Sequence, residues 1–207
     1  MAQTTGSSTS NTDELEQKQI LKQYLNETRA ALVWKLEGLT EKQARWPLVS
    51  SGNNLLGLVK HCASSEIGYF GACFGREWPT PEELPSDQLL DEDPQADWYA
   101  TADESISSVV DLYRRAWVFC DETIDTLPLD TVGHVPWWGN REVTLFRIIT
   151  HVASDITRHA GHADILRELT DRSVGLLPRN TNIPDWQAGE AAVYLDKLKN
   201  LADRAGD

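Results

Sequence analysis

Residues 151–162 of this chain read HVASDITRHAGH and contain three of its five histidines. They lie inside a longer helical pattern, which we predict to run from about Val143 to Thr170. Residues four apart on a helix lie one above the other, so His151, Asp155, His159 and His162 form a single stripe. We therefore expect the chemistry of the protein to centre on one face of this helix.

Three further helical patterns precede this stretch, and a weaker one follows it. Apolar residues recur near helical spacing over about 12–39, 54–74 and 102–126, and a weaker amphipathic pattern covers about 187–205. No alternating pattern of useful length predicts a strand. Four substantial helices joined by loops of mixed length predict an all-α fold: a four-helix bundle with a long crossover loop and an additional C-terminal helix.

The chain length of 207 residues fits one domain with a sizeable core. Residues 1–11 are polar and rich in Ser and Thr, which predicts a disordered N-terminal tail before a helical domain over residues 12–207. The crossover, residues 76–99, is acidic and contains four prolines. A connection this long is typical of a functional flap or a loosely packed crossover, and its acidic part is most simply a solvated surface.

The formal net charge of −13 argues against a nucleic acid or an anionic membrane surface as partner. No apolar run approaches the roughly 20 residues that a membrane span needs, and the N-terminus does not resemble a secretory signal. The three cysteines are odd in number and show no C-x-x-C spacing. We therefore predict reduced, buried thiols in a cytoplasmic protein.

An Asp and a His one helical turn apart can bind one divalent ion, and a third ligand must then come from another helix. His61 is the best candidate, because it lies in an otherwise apolar stretch of the second helix and should point inward. Three protein ligands with open positions are typical of a catalytic metal site. The alternatives are a hydrogen-bonded core histidine at His61 and a simple charged pair between Asp155 and His159.

Two segments resemble a known family when they are taken together. Residues 144–171, especially RHAGHADILRE at 158–168, look like the last core helix of the DinB-like superfamily. Residues 55–66, LLGLVKHCASSE, resemble the histidine-bearing helix of the same group. The likeness is greatest to a mostly actinobacterial branch and covers about residues 20–175.

The resemblance implies a four-helix bundle that binds a divalent metal through one histidine on the second helix and two residues one turn apart on the fourth. The family's ligands carry over to His61, Asp155 and His159, where the His-x-Gly-(Gln/His) signature sets the register. The middle ligand is usually His or Glu, so the shorter Asp155 predicts a looser site. His151 would be an auxiliary group, and His162 a supporting or helix-contact residue.

Thiol-dependent isomerases and S-transferases that use mycothiol or bacillithiol belong to this superfamily. The resemblance therefore implies a metal-dependent enzyme, with zinc or nickel and mycothiol as a co-substrate, that transfers a small thiol to an electrophile or isomerises it. A hydrolase with a metal-bound hydroxide and a non-catalytic metal-binding or stress-response protein are the alternatives. The family also permits a homodimer.

Three residues near the predicted site each have two interpretations. Trp137 and Trp138 precede the histidine-rich helix and either line a substrate pocket or pack into the core. Gly161, which costs about 1 kcal/mol inside a helix, either lets a neighbouring helix pack closely or is merely tolerated.

Overall fold

A computed structural model describes the backbone of residues 7–181 and 183–205 and the side chains from residue 12 onward within these ranges. The described chain is mainly helical, as predicted, with one small two-stranded sheet. It forms two compact units, the first ending at Ser173 and the second beginning at Val174. Each unit is described by itself.

The first unit is built on four long helices and carries two short ones. In chain order, its helices are α1 (Ser7–Trp34), α2 (Glu41–Arg45), α3 (Leu55–Phe70), α4 (Asp87–Glu92), α5 (Ile106–Thr126) and α6 (Leu145–Asp171). Helix α3 packs against α5 and α6, and α1 packs against α6 and α5. The apolar faces of the long helices meet in a common core, where Leu32, Leu58, Phe70, Ile124 and Ile148 are fully buried.

The two helices that carry the predicted site begin at side-chain caps. Asn54 precedes α3, and its side chain accepts a hydrogen bond from the backbone amide of Gly57 at 2.8 Å. Thr144 precedes α6, and its hydroxyl accepts from the amide of Arg147 at 3.3 Å. Each cap satisfies one of the amides that have no partner in the first turn of a helix. The start of α6 at Leu145 agrees with the predicted start near Val143 to within two residues.

The expectation that the chain has no strand is wrong. Strands β1 (Val132–Val135) and β2 (Arg141–Thr144) pair antiparallel immediately before α6. Both strands are only four residues long, too short to show an alternating pattern. Trp137 and Trp138 lie in a 3₁₀ turn between the strands, followed by Gly139 and Asn140 at positive φ. The hairpin therefore places both tryptophans near the start of α6.

Two predicted boundaries also shift. Helix α1 begins at Ser7, inside the segment predicted to be a disordered tail, and residues 1–6 lie outside the described part of the chain. Helix α5 begins at Ile106 rather than near Ala102, because Ser105 and Ser108 form the capping box at its start. The long connection between α3 and α5 contains a 3₁₀ turn at Pro81–Glu83 and helix α4.

The second unit contains α7 (Glu190–Ala205), the predicted additional C-terminal helix. No side chain described in α7 is buried within this structure. No helix in the described ranges is long and apolar enough to cross a membrane.

Candidate metal centre

Two rows of polar side chains face one another from α3 and α6. His61, Ser65 and Tyr69 recur every four residues along α3, and His151, Asp155 and His159 recur every four residues along α6. Side chains with this spacing share one face of a helix. Because α3 packs against α6, the two rows meet at the helix interface.

The structure brings together the three residues that the family resemblance predicts to be metal ligands. His61, Asp155 and His159 each offer one ligand atom, and these atoms lie within 4.8 Å of one another. His159 is buried, and His61 and Asp155 are half-buried. Two imidazoles and a carboxylate are the donor types that zinc and related divalent ions take from proteins.

The contacts of His159 fit a bound cation. Among the described residues, its buried Nδ1 has no hydrogen-bond partner. Its Nε2 lies 3.6 Å from Oδ1 of Asp155, which is too long for a hydrogen bond. Two ligands at about 2.0–2.2 Å from a tetrahedral zinc lie about 3.4 Å from each other, so this separation resembles that of two ligands of one ion. A cation between Nε2 and Oδ1 would therefore use the edge of the ring that faces Asp155, whereas Nδ1 lies on the opposite edge.

Asp155 is held in its charged form. Its pKa lies below the usual range because of the adjacent His159, with smaller contributions from His61 and His151, and partial burial only partly opposes this. An ionised carboxylate between imidazoles can bind a cation without first losing a proton.

His61 has partners on both edges of its ring and on one face. Its Nδ1 lies 2.7 Å from Oδ2 of Asp97, and its Nε2 lies 3.3 Å from the hydroxyl of Ser65. The indole of Trp98 stacks on the ring, with the centroids 3.7 Å apart and the planes at 19°. The ring edge of His159 also approaches His61, with a centroid distance of 5.0 Å.

His151 lies farther along α6, beside a hydrogen-bonded aromatic group. Its Nε2 is 3.1 Å from the hydroxyl of Tyr69, and the indole N–H of Trp137 donates to the same hydroxyl at 3.3 Å. Trp138 packs edge-on against His151 at 4.7 Å and against Tyr69 at 5.7 Å. Partial burial raises the pKa of Tyr69, so its hydroxyl keeps its proton at neutral pH.

His162 does not join the group. It is exposed, and its ring approaches His159 only edge-on, at a centroid distance of 5.8 Å. The single stripe drawn through His151, Asp155, His159 and His162 therefore holds for its first three members. The physical reason is the spacing, since three residues advance 300° around a helix whereas four advance 400°.

A cavity of about 490 Å³ opens beside the three converging residues. His61, Asp155, His151, Tyr69 and Trp137 all line it. Trp137 therefore lines this cavity, whereas Trp138 is half-buried and packs against the core.

The cysteines are not placed to act as nucleophiles. Cys62, Cys73 and Cys120 are free and buried, as predicted. Burial raises the pKa of the Cys73 thiol to about 11 and raises those of Cys62 and Cys120 well above their usual value. A thiolate at this site would have to come from a bound small molecule.

Four residues of the site do not appear among the sequence predictions. Ser65 and Tyr69 follow His61 at four-residue spacing, so the α3 row could have been recognised by the method used for α6. Asp97 and Trp98 lie 36 and 37 residues after His61 in the acidic connection, and no local pattern links them to it. A tryptophan within an acidic loop was the one sign that part of this loop is not solvated surface.

The packed helices and the His–Asp–His cluster define a protein of the DinB-like class. The family model for mycothiol-S-transferase matches residues 20–172, and the chain belongs to this family. A comparison with curated proteins finds no match.

Proposed function

We propose that this protein is a divalent-metal-dependent enzyme that transfers a low-molecular-weight thiol of the mycothiol type to small electrophiles. The observation that carries the proposal is the convergence of ligand atoms from His61, Asp155 and His159 to within 4.8 Å beside a cavity. Membership of the mycothiol-S-transferase family supports the choice of thiol. In this proposal α1, α3, α5 and α6 are the DinB-like four-helix bundle that carries the site.

His61, Asp155 and His159 would hold the cation, and their nitrogen and oxygen atoms suit zinc or nickel. When bound, a divalent ion lowers the pKa of a thiol and makes the thiolate available near neutral pH. Asp155 would keep its negative charge throughout, because the neighbouring imidazoles lower its pKa. It is therefore suited to hold a cation and poorly suited to accept a proton.

The transfer breaks the S–H bond of the thiol and forms a bond between sulfur and the electrophilic carbon. A leaving group departs with the electron pair of its bond to that carbon, and the thiol proton must be taken up. His151 lines the cavity, and its ring packs edge-on against those of Tyr69 and Trp138. We assign it the role of proton acceptor at Nδ1, in the tautomer whose Nε2–H donates to the hydroxyl of Tyr69 across the 3.1 Å contact and so orients the ring.

The lining of the cavity narrows the class of electrophile. Asp87, Asp97 and Asp155 line it, and the described lining residues include no Lys or Arg. An anionic substrate would be repelled by these carboxylates and would find no cationic side chain to pair with. The face of Trp137, which is 51% exposed, offers an apolar surface instead. We therefore expect neutral or cationic electrophiles with an apolar part.

The proposal is tested by incubating the purified, untagged protein with zinc, mycothiol and monobromobimane, a small neutral electrophile. Loss of thiol and appearance of the thioether, followed by mass spectrometry, would report the transfer. His159→Ala should abolish the enzyme-dependent rate. His134→Ala is the matched control, because His134 lies on β1 and its side chain is 48% exposed.

Each negative result has a distinct meaning. Failure to bind zinc or nickel, measured by elemental analysis after metal loading, would contradict the metal site. Metal binding without consumption of mycothiol across neutral and cationic electrophiles would contradict the transferase and favour hydrolysis or a binding role. Conversion of the electrophile without net loss of thiol would identify an isomerase.

A further inference from the structure

The connection between α4 and α5 passes over the turn of α3 that carries His61. Oδ2 of Asp97 lies 2.7 Å from Nδ1 of His61, and the indole of Trp98 stacks on the same ring at 3.7 Å. We propose that Asp97 and Trp98 are positioning residues, which fix the His61 ring so that Nε2 faces the cation. This inference rests on the proposed metal site and extends it to a segment that the sequence indicates as solvated surface.

The contact with Asp97 fixes the tautomer of His61. A carboxylate accepts hydrogen bonds and donates none, so Nδ1 of His61 carries the proton that forms the 2.7 Å contact. Nε2 then keeps its lone pair, which a metal ion needs. Histidine ligands commonly donate their second N–H to a carboxylate in this way, and the carboxylate also makes the ring a stronger donor to the metal.

The stacked indole limits rotation of the His61 ring. The planes of Trp98 and His61 lie at 19°, so a turn of the imidazole about its bond to Cβ would drive its edge into the indole. The edge of Trp98 also approaches His159, with a centroid distance of 5.3 Å. One indole thus contacts both histidines of the proposed metal site.

A glycine on α3 permits this close approach. Gly57 lies one turn before His61, and a Cβ atom at this position would overlap the carbonyl oxygen of Trp98 and lie 2.7 Å from its carbonyl carbon. Only a residue without a side chain lets the backbone of the connection lie this close to the helix. Gly57 is therefore part of the arrangement that places Asp97 and Trp98 against His61.

The residues that follow Trp98 are fixed to α2 and α3. Nζ of Lys60, a residue only 4% exposed, donates to the carbonyl of Tyr99 at 3.1 Å and to the carboxylate of Glu104 at 2.8 Å. The guanidinium of Arg45 donates to the carbonyl of Ala100 at 2.9 Å. These contacts hold the segment against the helices before any ligand binds, so Asp97 meets His61 without having to be ordered by a ligand.

The first test measures zinc affinity by competition with a chromophoric chelator. Asp97→Ala should weaken binding about 10- to 100-fold, the range found when an outer carboxylate of a histidine ligand is removed. Asp97→Asn should weaken it less, because the amide oxygen still accepts a hydrogen bond. Asp91→Asn is the matched control, since Asp91 is an exposed carboxylate of α4, and it should leave the affinity unchanged.

The second test measures which nitrogen of the His61 ring carries the proton in the metal-free protein. Nitrogen-15 chemical shifts of the imidazole distinguish a proton on Nδ1 from one on Nε2. We expect the Nδ1–H form in the wild type and a mixture of both forms in Asp97→Ala. A merely structural role for Asp97 would not move the tautomer, so this signal separates positioning from general loss of stability.

A third variant tests whether the close approach of the Trp98 backbone to Gly57 is needed to position His61. Gly57→Ala should displace the backbone at Trp98, weaken zinc binding and shift the His61 tautomer in the same direction as Asp97→Ala. Because both substitutions act on one contact, their effects on affinity should be less than additive in the double variant. Circular dichroism checks that each variant is folded, and the Asp97 variants suffice for the test if Gly57→Ala does not fold.

The results separate this inference from the proposed function. It is overturned if the wild type binds zinc and Asp97→Ala binds it within about twofold of that affinity with an unchanged tautomer. If the wild type binds no zinc, the metal site itself is contradicted, and with it the role of Asp97 toward a cation. The tautomer measurement needs no metal and still decides whether Asp97 orients the ring.

Discussion

Nε2 of His159 and Oδ1 of Asp155 lie 3.6 Å apart on consecutive turns of α6. This separation exceeds a hydrogen bond and suits two ligands of one ion. The carboxylate of Asp155 thus lies beside the imidazole of His159, although its side chain is one methylene shorter than that of a glutamate. The resemblance predicts a looser site at Asp155, and substitution of this residue tests that prediction.

Substitution of Asp155 tests this relationship. Asp155→Asn removes the charge and keeps the shape, so we expect zinc affinity to fall by at least about tenfold. This is the smallest loss seen when a carboxylate that supports a metal ligand is removed, and loss of a ligand itself should cost no less. Asp155→Glu keeps the charge on a longer side chain and should retain most of the affinity. Isothermal titration of the metal-free protein with zinc provides the measurement. Equal affinity in wild type and Asp155→Asn would remove Asp155 from the ligand set.

A second prediction concerns the buried ion pair between α1 and α3. Arg29 and Glu66 are fully buried, the guanidinium donates to the carboxylate at 2.5 Å, and the hydroxyl of Tyr113 donates to the other oxygen at 2.8 Å. Glu66→Gln removes the buried counter-charge of Arg29 and leaves only the partly exposed Asp121, which Nη1 contacts at 2.8 Å, so it should lower the free energy of unfolding by up to about 3 kcal/mol. Urea unfolding measures this loss.

The matched control for Glu66 is an exposed carboxylate in a comparable pair. Asp125 contacts Lys22 at 2.8 Å, but its side chain is 59% exposed. Asp125→Asn should therefore change the free energy of unfolding by about 1 kcal/mol or less. A similar loss in both variants would show that burial does not set the strength of the Arg29–Glu66 pair.

A third prediction compares Gly161 with an alanine at the same position. A Cβ atom at Gly161 would meet no neighbouring atom within 4 Å, which favours the second of its two interpretations, a glycine that the helix merely tolerates. Gly161→Ala should raise the free energy of unfolding by about 1 kcal/mol, because alanine loses less backbone entropy in a helix. Thermal unfolding checks the sign, and a lower melting temperature would contradict it.

A fourth prediction is a pH dependence that arises at Glu104. Partial burial disfavours its charge, but hydrogen bonds from Lys60 and from the backbone of Thr101 outweigh this and lower its pKa below the ordinary value of 4.5. A folded-state pKa below the unfolded one stabilises the fold above the unfolded pKa, and the gain is lost as the pH falls through the folded value. Acidification should therefore release this connection from α3.

The pH prediction is measured as the difference in unfolding free energy between the wild type and Glu104→Gln. This difference should be largest near neutral pH and should shrink as the pH falls below 4.5, the ordinary pKa of the glutamate side chain. Glu92→Gln provides a control on α4, where no lysine contacts the carboxylate among the described residues. A difference that grows toward acid pH would have the wrong sign and would contradict the assignment.

Local spacing made much of this protein predictable. The apolar residues of α1, α3, α5 and α6 recur at helical spacing, which predicts these helices. The four-residue step from Asp155 to His159 places both side chains on one face of any helix. The short hairpin before α6 gave no such signal, because strands of four residues contain too few alternations. The apolar stretch around His61 made it the candidate third ligand, and the family resemblance then set the register on α6.

The sequence by itself determined the helices, the pairing of Asp155 with His159 and the burial of the three cysteines, because these follow from periodicity and from the nature of single side chains. Only the tertiary structure decided that Asp97 and Trp98 meet His61 and that Tyr69 meets His151. Contacts across 36 or 82 residues depend on how helices pack and on whether Gly57 lets a loop approach. No period in a chain encodes such contacts.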